Sequence, residues 1–208
     1  TTDDILSQFR LVVSYAIQNG VARSEESAAI LAGSMLQLQD SGAEGSEKPI
    51  IILNTNNFGA ENDSKKASVA LLLSGSTTVN ERVILKNPTN PNYQHTKQTA
   101  DTRLQYFQPL KSAYRFDYCN YPQTLEEVEE VVAWAKANKK VLFIQLGRIP
   151  LSLFYYAQYK SNLISLFEGA NSIMGACNIG KPFLALPNFN ATPNEGLYPT
   201  ITRGYFDS

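Results

Sequence analysis

Three short apolar runs near the carboxyl end, Val141-Leu-Phe-Ile-Gln-Leu146, Leu163-Ile-Ser-Leu-Phe167 and Pro182-Phe-Leu-Ala-Leu186, alternate with two helix-like segments. Each run has the length of a strand, is rich in aliphatic and aromatic residues, and is set off by Gly or Pro. A strand that is apolar on nearly every residue has both faces covered, which is the condition of a parallel sheet between helices. The stretch Val141 to Pro187 therefore reads as β-α-β-α-β.

Upstream, residues 3 to 19 set Ile5, Leu6, Phe9, Val12, Val13, Ala16 and Ile17 at helical spacing, with Gly20 at the stop position. Ser24 then offers an N-cap, with Glu25 and Glu26 in the first turn of a helix that runs to about Gln39. The pattern predicts a helical hairpin over residues 1–40. Asp40 to Lys48, rich in Gly, Ser and Glu, is a linker, and residues 49–208 form a mixed α/β domain, unless the whole chain is one compact unit. Pro49 to Leu53 is a strand run. Ala67 to Ser74 and Thr78 to Lys86, with Gly75-Ser-Thr77 between them, read as an antiparallel hairpin with one partly wet face.

Asn87 to Tyr93 is a proline-bounded loop, and a helix from Thr96 to Tyr106 ends before Pro109. The aromatic cluster Tyr106, Phe107, Tyr114, Phe116, Tyr118 and Tyr121 carries too few basic neighbours for a base-stacking platform and reads as core or interface. Thr124-Leu-Glu-Glu127 is a capping box opening a helix to about Lys140. The fold class expected is α/β or α+β: an N-terminal helical hairpin, a central mixed sheet with an antiparallel hairpin, and a C-terminal β-α-β-α-β layer.

Eighteen basic and nineteen acidic residues leave a net charge of -1, so no global field draws the chain to nucleic acid. No apolar run is long enough to span a bilayer, and Thr1-Thr-Asp-Asp does not read as a signal peptide. A single histidine, His95, and two cysteines, Cys119 and Cys177, are too few for a metal site or for a nucleophile-histidine pair. Cys177 reads as a buried small hydrophobe. Neither GxxxxGK[ST] nor GxGxxG is present, no cofactor is called for, and no complete catalytic signature stands anywhere, so enzymatic activity is an open question.

The candidate ligand site is the turn after the second run, Glu168-Gly169-Ala170-Asn171-Ser172. A helix opening near Ala170 would offer its first amides to an anion, Gly169 would allow close approach, and Asn171 with Ser172, pointing outward, would add donors. Glu168 is either a capping partner or a general base. Arg148, after Gly147 at the end of the first run, would lie at the same edge, pairing with Glu168 or balancing an anionic ligand.

This segment, residues 162–187, with its glycine-bounded strand end, small-residue helix and Gly180-Lys181-Pro182 before an apolar strand, resembles the donor-binding segment of GT-B glycosyltransferases. The resemblance implies a sugar nucleotide as ligand. Those enzymes often carry a glutamate in this helix to hold the ribose, where this chain has Gly175, and they use two Rossmann domains, of which the first ninety residues here supply no second. A competing reading is a non-catalytic self-assembling protein, coat-like or a secreted toxin or effector, supported by the low charge content and the many Asn and Tyr residues. It would form a homo-oligomer or hold a partner chain through the tail from Asn188 to Ser208.

Overall fold

The structure, a computed structural model, describes residues 8–15, 24–55, 64–106, 108–120, 122, 124–167 and 170–185. Six strands form one sheet: β1 (Arg10–Tyr15), β2 (Ile50–Thr55), β3 (Phe116–Asn120), β4 (Val141–Leu146), β5 (Ser165–Phe167) and β6 (Phe183–Ala185), in the order β3-β4-β2-β1-β5-β6. Every pairing is parallel. Among the described residues seven α-helices accompany them: α1 (Ser24–Asp40), α2 (Ser64–Leu73), α3 (Val79–Leu85), α4 (Tyr93–Tyr106), α5 (Leu125–Ala137), α6 (Leu151–Lys160) and α7 (Ala170–Asn178). A 3₁₀ turn, Lys111–Arg115, leads into β3.

The helices divide between the two faces as right-handed crossovers require. From β1 the chain moves toward β2 and then to the β3 edge. The helices on that path, α1 and α2, set Ala28, Leu31, Ala32, Leu36, Val69 and Leu72 against Val12, Ile50, Ile52, Val141 and Phe143. From β3 the chain turns back through β4 and crosses to β5 and β6. The helices on the return, α5, α6 and α7, set Ala135, Phe154, Ile173 and Ala176 against Leu11, Val13, Leu142, Ile144 and Phe167 on the other face. The β-α-β-α-β reading of the carboxyl end is what the structure contains, in parallel strands. Its first two strands, however, are not neighbours, because β2 and β1 lie between β4 and β5.

Two expectations are corrected. Residues 10–15 are a central strand, not part of a first helix. The short run Leu11-Val-Val fits either period, and burial on both faces selects the strand, with Val12 and Val13 fully enclosed. The second helix of the expected hairpin is α1. Strands from both sides of the 40–48 linker are hydrogen-bonded neighbours in register, Arg10↔Ile50 to Tyr15↔Thr55. Short as it is, the β1–β5 pairing is reinforced by the Asn162 side chain, whose Oδ1 accepts from Leu11 N at 2.7 Å while its Nδ2 donates to Phe9 O at 3.2 Å.

The second correction is that the antiparallel hairpin does not exist: Ala67–Ser74 and Thr78–Lys86 lie largely in α2 and α3. The chain between them is a helix-to-helix link. Gly75, at φ 76°, closes α2 with its amide on Leu72 O and the Ser76 amide on Leu71 O, and a Cβ there would also meet Pro109 at 2.9 Å. Thr78 opens α3 with both arms of a capping box: its Oγ1 accepts from Glu81 N at 3.3 Å, and Glu81 Oε2 accepts from Thr78 N at 2.8 Å.

Since α3 buries no residue fully, ionic contacts hold it. From α4, Arg103 donates to Glu81 through both terminal nitrogens, at 2.6 and 2.7 Å, and to Glu26 of α1 at 2.8 Å. All three side chains are at most 15% exposed.

At the start of α5 the Thr124 hydroxyl accepts from Glu127 N at 3.2 Å, as expected. Thr124→Ala leaves that amide without its cap, and a loss of about 1 kcal/mol in urea unfolding is the expected result. A midpoint unchanged from wild type would mean that the cap adds nothing to the folded state.

Candidate functional site

All six strands end at one edge, and the connections diverge at one place along it. After β1 the chain goes to β2 on one side; after β5, the other neighbour of β1, it goes to β6 on the opposite side. This is the topological switch point of the sheet, where the following helices lie on opposite faces and where open α/β sheets as a class form a ligand crevice outside the strand ends. The helix opening at that crevice from β5 is α7. It closes at Gly180, whose amide donates to Cys177 O at 3.1 Å, followed by Lys181 N on Ala176 O at 3.0 Å.

A row of uncharged polar residues crosses the same edge. In register lie Asn120↔Gln145, Gln145↔Asn54, Asn54↔Ser14 and Ser14↔Leu166, so the fifth residues of four strands align. Ser14, Asn54 and Gln145 are fully buried. Gln145 Oε1 accepts from Asn54 Nδ2 at 2.7 Å, and Gln145 Nε2 donates to Leu146 O at 3.3 Å. Tyr118 stacks on Phe143 at 5.0 Å and brings its hydroxyl to 3.5 Å from Gln145 Oε1. Ser14 Oγ, next to the β5 end, has no hydrogen-bond partner. A buried hydroxyl without a partner is costly unless something else satisfies it.

Of the site residues expected from sequence, Glu168 and Gly169 lie outside the described residues. Ala170 and Asn171 are the first two residues of α7, where helix amides have no partner within the helix. Ser172 is buried rather than turned outward, and its carbonyl accepts from Gln158 Nε2 of α6 at 3.2 Å. Arg148 is exposed just beyond β4, at the same edge, but three strand spacings, about 14 Å, separate β4 from β5. Gly175 faces α6: a Cβ there would lie 2.5 Å from Tyr155 Cε1 and 3.1 Å from Gln158 Oε1. The position at which the resemblance calls for a ribose-holding glutamate is thus turned into helix packing.

The polar row escaped the reading of the sequence, although a signal for it exists. Each of the runs Leu11-Val-Val-Ser-Tyr, Ile50-Ile-Ile-Leu-Asn-Thr and Val141-Leu-Phe-Ile-Gln-Leu is broken by an uncharged polar residue, Ser14, Asn54 or Gln145, after three or four consecutive apolar ones.

Neither cysteine has the surroundings of a nucleophile. Burial, then the charges of Asp117 and Glu127, push the Cys119 thiol above its ordinary range. Cys177, expected to be buried, is half-buried and packs against the α5–α7 core. Among the described residues no cluster of three or more His, Cys, Asp or Glu is placed to hold a metal, and no helix is long and apolar enough to cross a membrane. A groove of about 200 Å³ along α1, lined by Ile30, Gly33, Gln37, Leu73 and Leu110 among others, has no charged side chain with which to meet a phosphate. Comparison with known proteins finds no matching family model, no matching curated protein and no matching solved structure.

Proposed function

We propose that this chain is a ligand-binding α/β domain that takes a phosphate-bearing ligand of the sugar-nucleotide type in the crevice between the β1 and β5 ends. The observation that carries the reading is the position of α7: it opens at the one point of the sheet edge where the connections diverge. Its first amides, which have no partner within the helix, and the positive end of its dipole suit a phosphate. The uncharged row reaches the same strand ends from the other face of the sheet, the face of Val12, Ile52 and Phe143, and suits the hydroxyls and amides of a sugar or base; its Ser14 Oγ has no partner among the described residues and is a donor left for that purpose.

The test is a thermal-shift and calorimetric panel of free nucleotides and sugar nucleotides, on wild type and on Ser14→Ala. At least one phosphate-bearing compound is expected to raise the melting temperature. Ser14→Ala is expected to melt with or slightly above wild type without ligand, because it removes an unsatisfied buried hydroxyl, and to bind roughly tenfold more weakly, the equivalent of one lost hydrogen bond to the ligand. No binding by wild type at millimolar concentration, where even affinities of about -4 kcal/mol register, would overturn the proposal.

A further inference from the structure

We infer that the outer surface of the α5–α6–α7 layer is where a second copy of this chain packs. The observation is α6 itself. Its sequence, Leu-Ser-Leu-Phe-Tyr-Tyr-Ala-Gln-Tyr-Lys, carries a single charge. Phe154 and Gln158 face the sheet, yet on the opposite side Leu153, Tyr156 and Tyr159 stand 51, 44 and 59% exposed. A helix that is apolar around its whole circumference is covered on both sides, and here, among the described residues, only the side toward the sheet is covered. Met174 of α7 continues the exposed apolar surface.

The charges around this surface select the occupant. α5, in the same layer, exposes Glu126, Glu129 and Glu130 in its first two turns, while Lys136 and Lys139, also exposed, mark its far end. Lys160, the last residue of α6, and Lys181 lie over the ring of Tyr159 at 5.7 and 5.8 Å. An anionic bilayer or a nucleic-acid backbone laid on α6 would meet the α5 carboxylates, and a strongly basic partner would meet the lysines. A copy of the same layer meets neither obstacle. With a two-fold axis across the helices, α6 packs antiparallel on α6, and the acidic start of each α5 faces the lysine end of the other.

The size agrees with a weak, reversible dimer. Helices of about 15–20 Å laid side by side over about 30 Å present roughly 500 Å² per copy. That is about 1,000 Å² in all, near the lower bound of specific interfaces.

The test is sedimentation velocity of the full chain from the low-micromolar to the millimolar range, beside Tyr156→Glu/Tyr159→Glu and a charge-reversed pair of variants. Wild type is expected to dimerise with rising concentration, and Tyr156→Glu/Tyr159→Glu to remain monomeric at every concentration with unchanged melting when dilute. Glu126→Lys/Glu130→Lys is expected to weaken association at least about tenfold, and adding Lys136→Glu/Lys139→Glu to the same chain to restore it. A wild type that stays monomeric throughout overturns the proposal, as does a dimer indifferent to the two tyrosine changes. Failure of the second charge reversal to restore association overturns the antiparallel arrangement, and co-sedimentation of monomer with phosphatidylserine vesicles would assign the surface to a membrane instead.

Discussion

Arg103→Met is expected to lower the stability by about 3–5 kcal/mol, the cost of removing one partner from a buried ionic cluster. The side chain is replaced by one of similar reach that packs but carries no charge. What it leaves behind is Glu26 and Glu81, both largely enclosed and both deprived of the guanidinium that links α4 to α1 and α3. The loss is expected to depend on pH with a definite sign. In the wild type, burial pulls the Glu81 pKa up, but the hydrogen bonds from Arg103 and the Thr78 amide outweigh it and hold the carboxyl below its ordinary 4.5. A depressed folded pKa contributes stability above the unfolded value and loses it as pH falls through the folded one. In the variant Glu81 stays buried but loses the hydrogen bonds from Arg103 that lower its pKa, so its folded pKa rises and the folded state gains from protonation. The gap between variant and wild type, measured by urea unfolding, is therefore expected to be largest near neutrality and to narrow as pH falls through about 4.5. A gap under about 1 kcal/mol at neutral pH, the range of an exposed pair, would show that the cluster is not the tie between these helices.

How much of this architecture can be read from the chain depends on whether local pattern and tertiary burial agree. They agree from Val141 onward, where apolar runs between Gly and Pro punctuation became β4, β5 and β6 with α6 and α7 between them. They conflict at β1. Seven apolar residues, Val12 and Val13 among them, stand at helical spacing, and only the neighbours supplied by β2 and β5, far away in sequence, make residues 10–15 a central strand. Read as a strand, Val79–Lys86 has one partly wet face, but stronger cues in this region favour helix: the Ala and Leu content of Ala67–Leu73 and the Thr78–Glu81 capping box. β3 lay hidden inside an aromatic cluster that looked like core in general and a strand in particular only once Tyr118 is seen stacked on Phe143.

The site divides in the same way. The turn opening α7 is contiguous and could be found by inspection. Ser14, Asn54 and Gln145 meet across three strands drawn from positions up to 131 residues apart, a register that the sheet order alone creates. Conversely, the glutamate position suggested by resemblance cannot serve here, because Gly175 is where α7 comes closest to α6.

Phe167→Ala is expected to cost about 3–5 kcal/mol, the second large effect, and to test whether the candidate crevice rests on packing behind it. Phe167 is fully enclosed at the end of a strand of only three residues. It sits opposite Tyr15 and Ala185 in register and meets Phe154 of α6 edge to face, with ring centres 6.0 Å apart. So short a strand has few ladder hydrogen bonds, and its place between β1 and β6 depends on that ring filling the space under α6 and α7. Phe167→Leu keeps most of the apolar volume and is expected to lose less than about 1.5 kcal/mol. Guanidinium unfolding of both variants measures the difference, with an unchanged slope showing that the unfolded reference is the same. Binding should follow the packing: Phe167→Leu is expected to retain the ligand-dependent rise in melting temperature, and Phe167→Ala to lose it even where enough protein remains folded to be assayed. If Phe167→Ala unfolds at the wild-type midpoint, β5 is held by something other than its buried ring, and the crevice at the head of α7 has a different support from the one argued here.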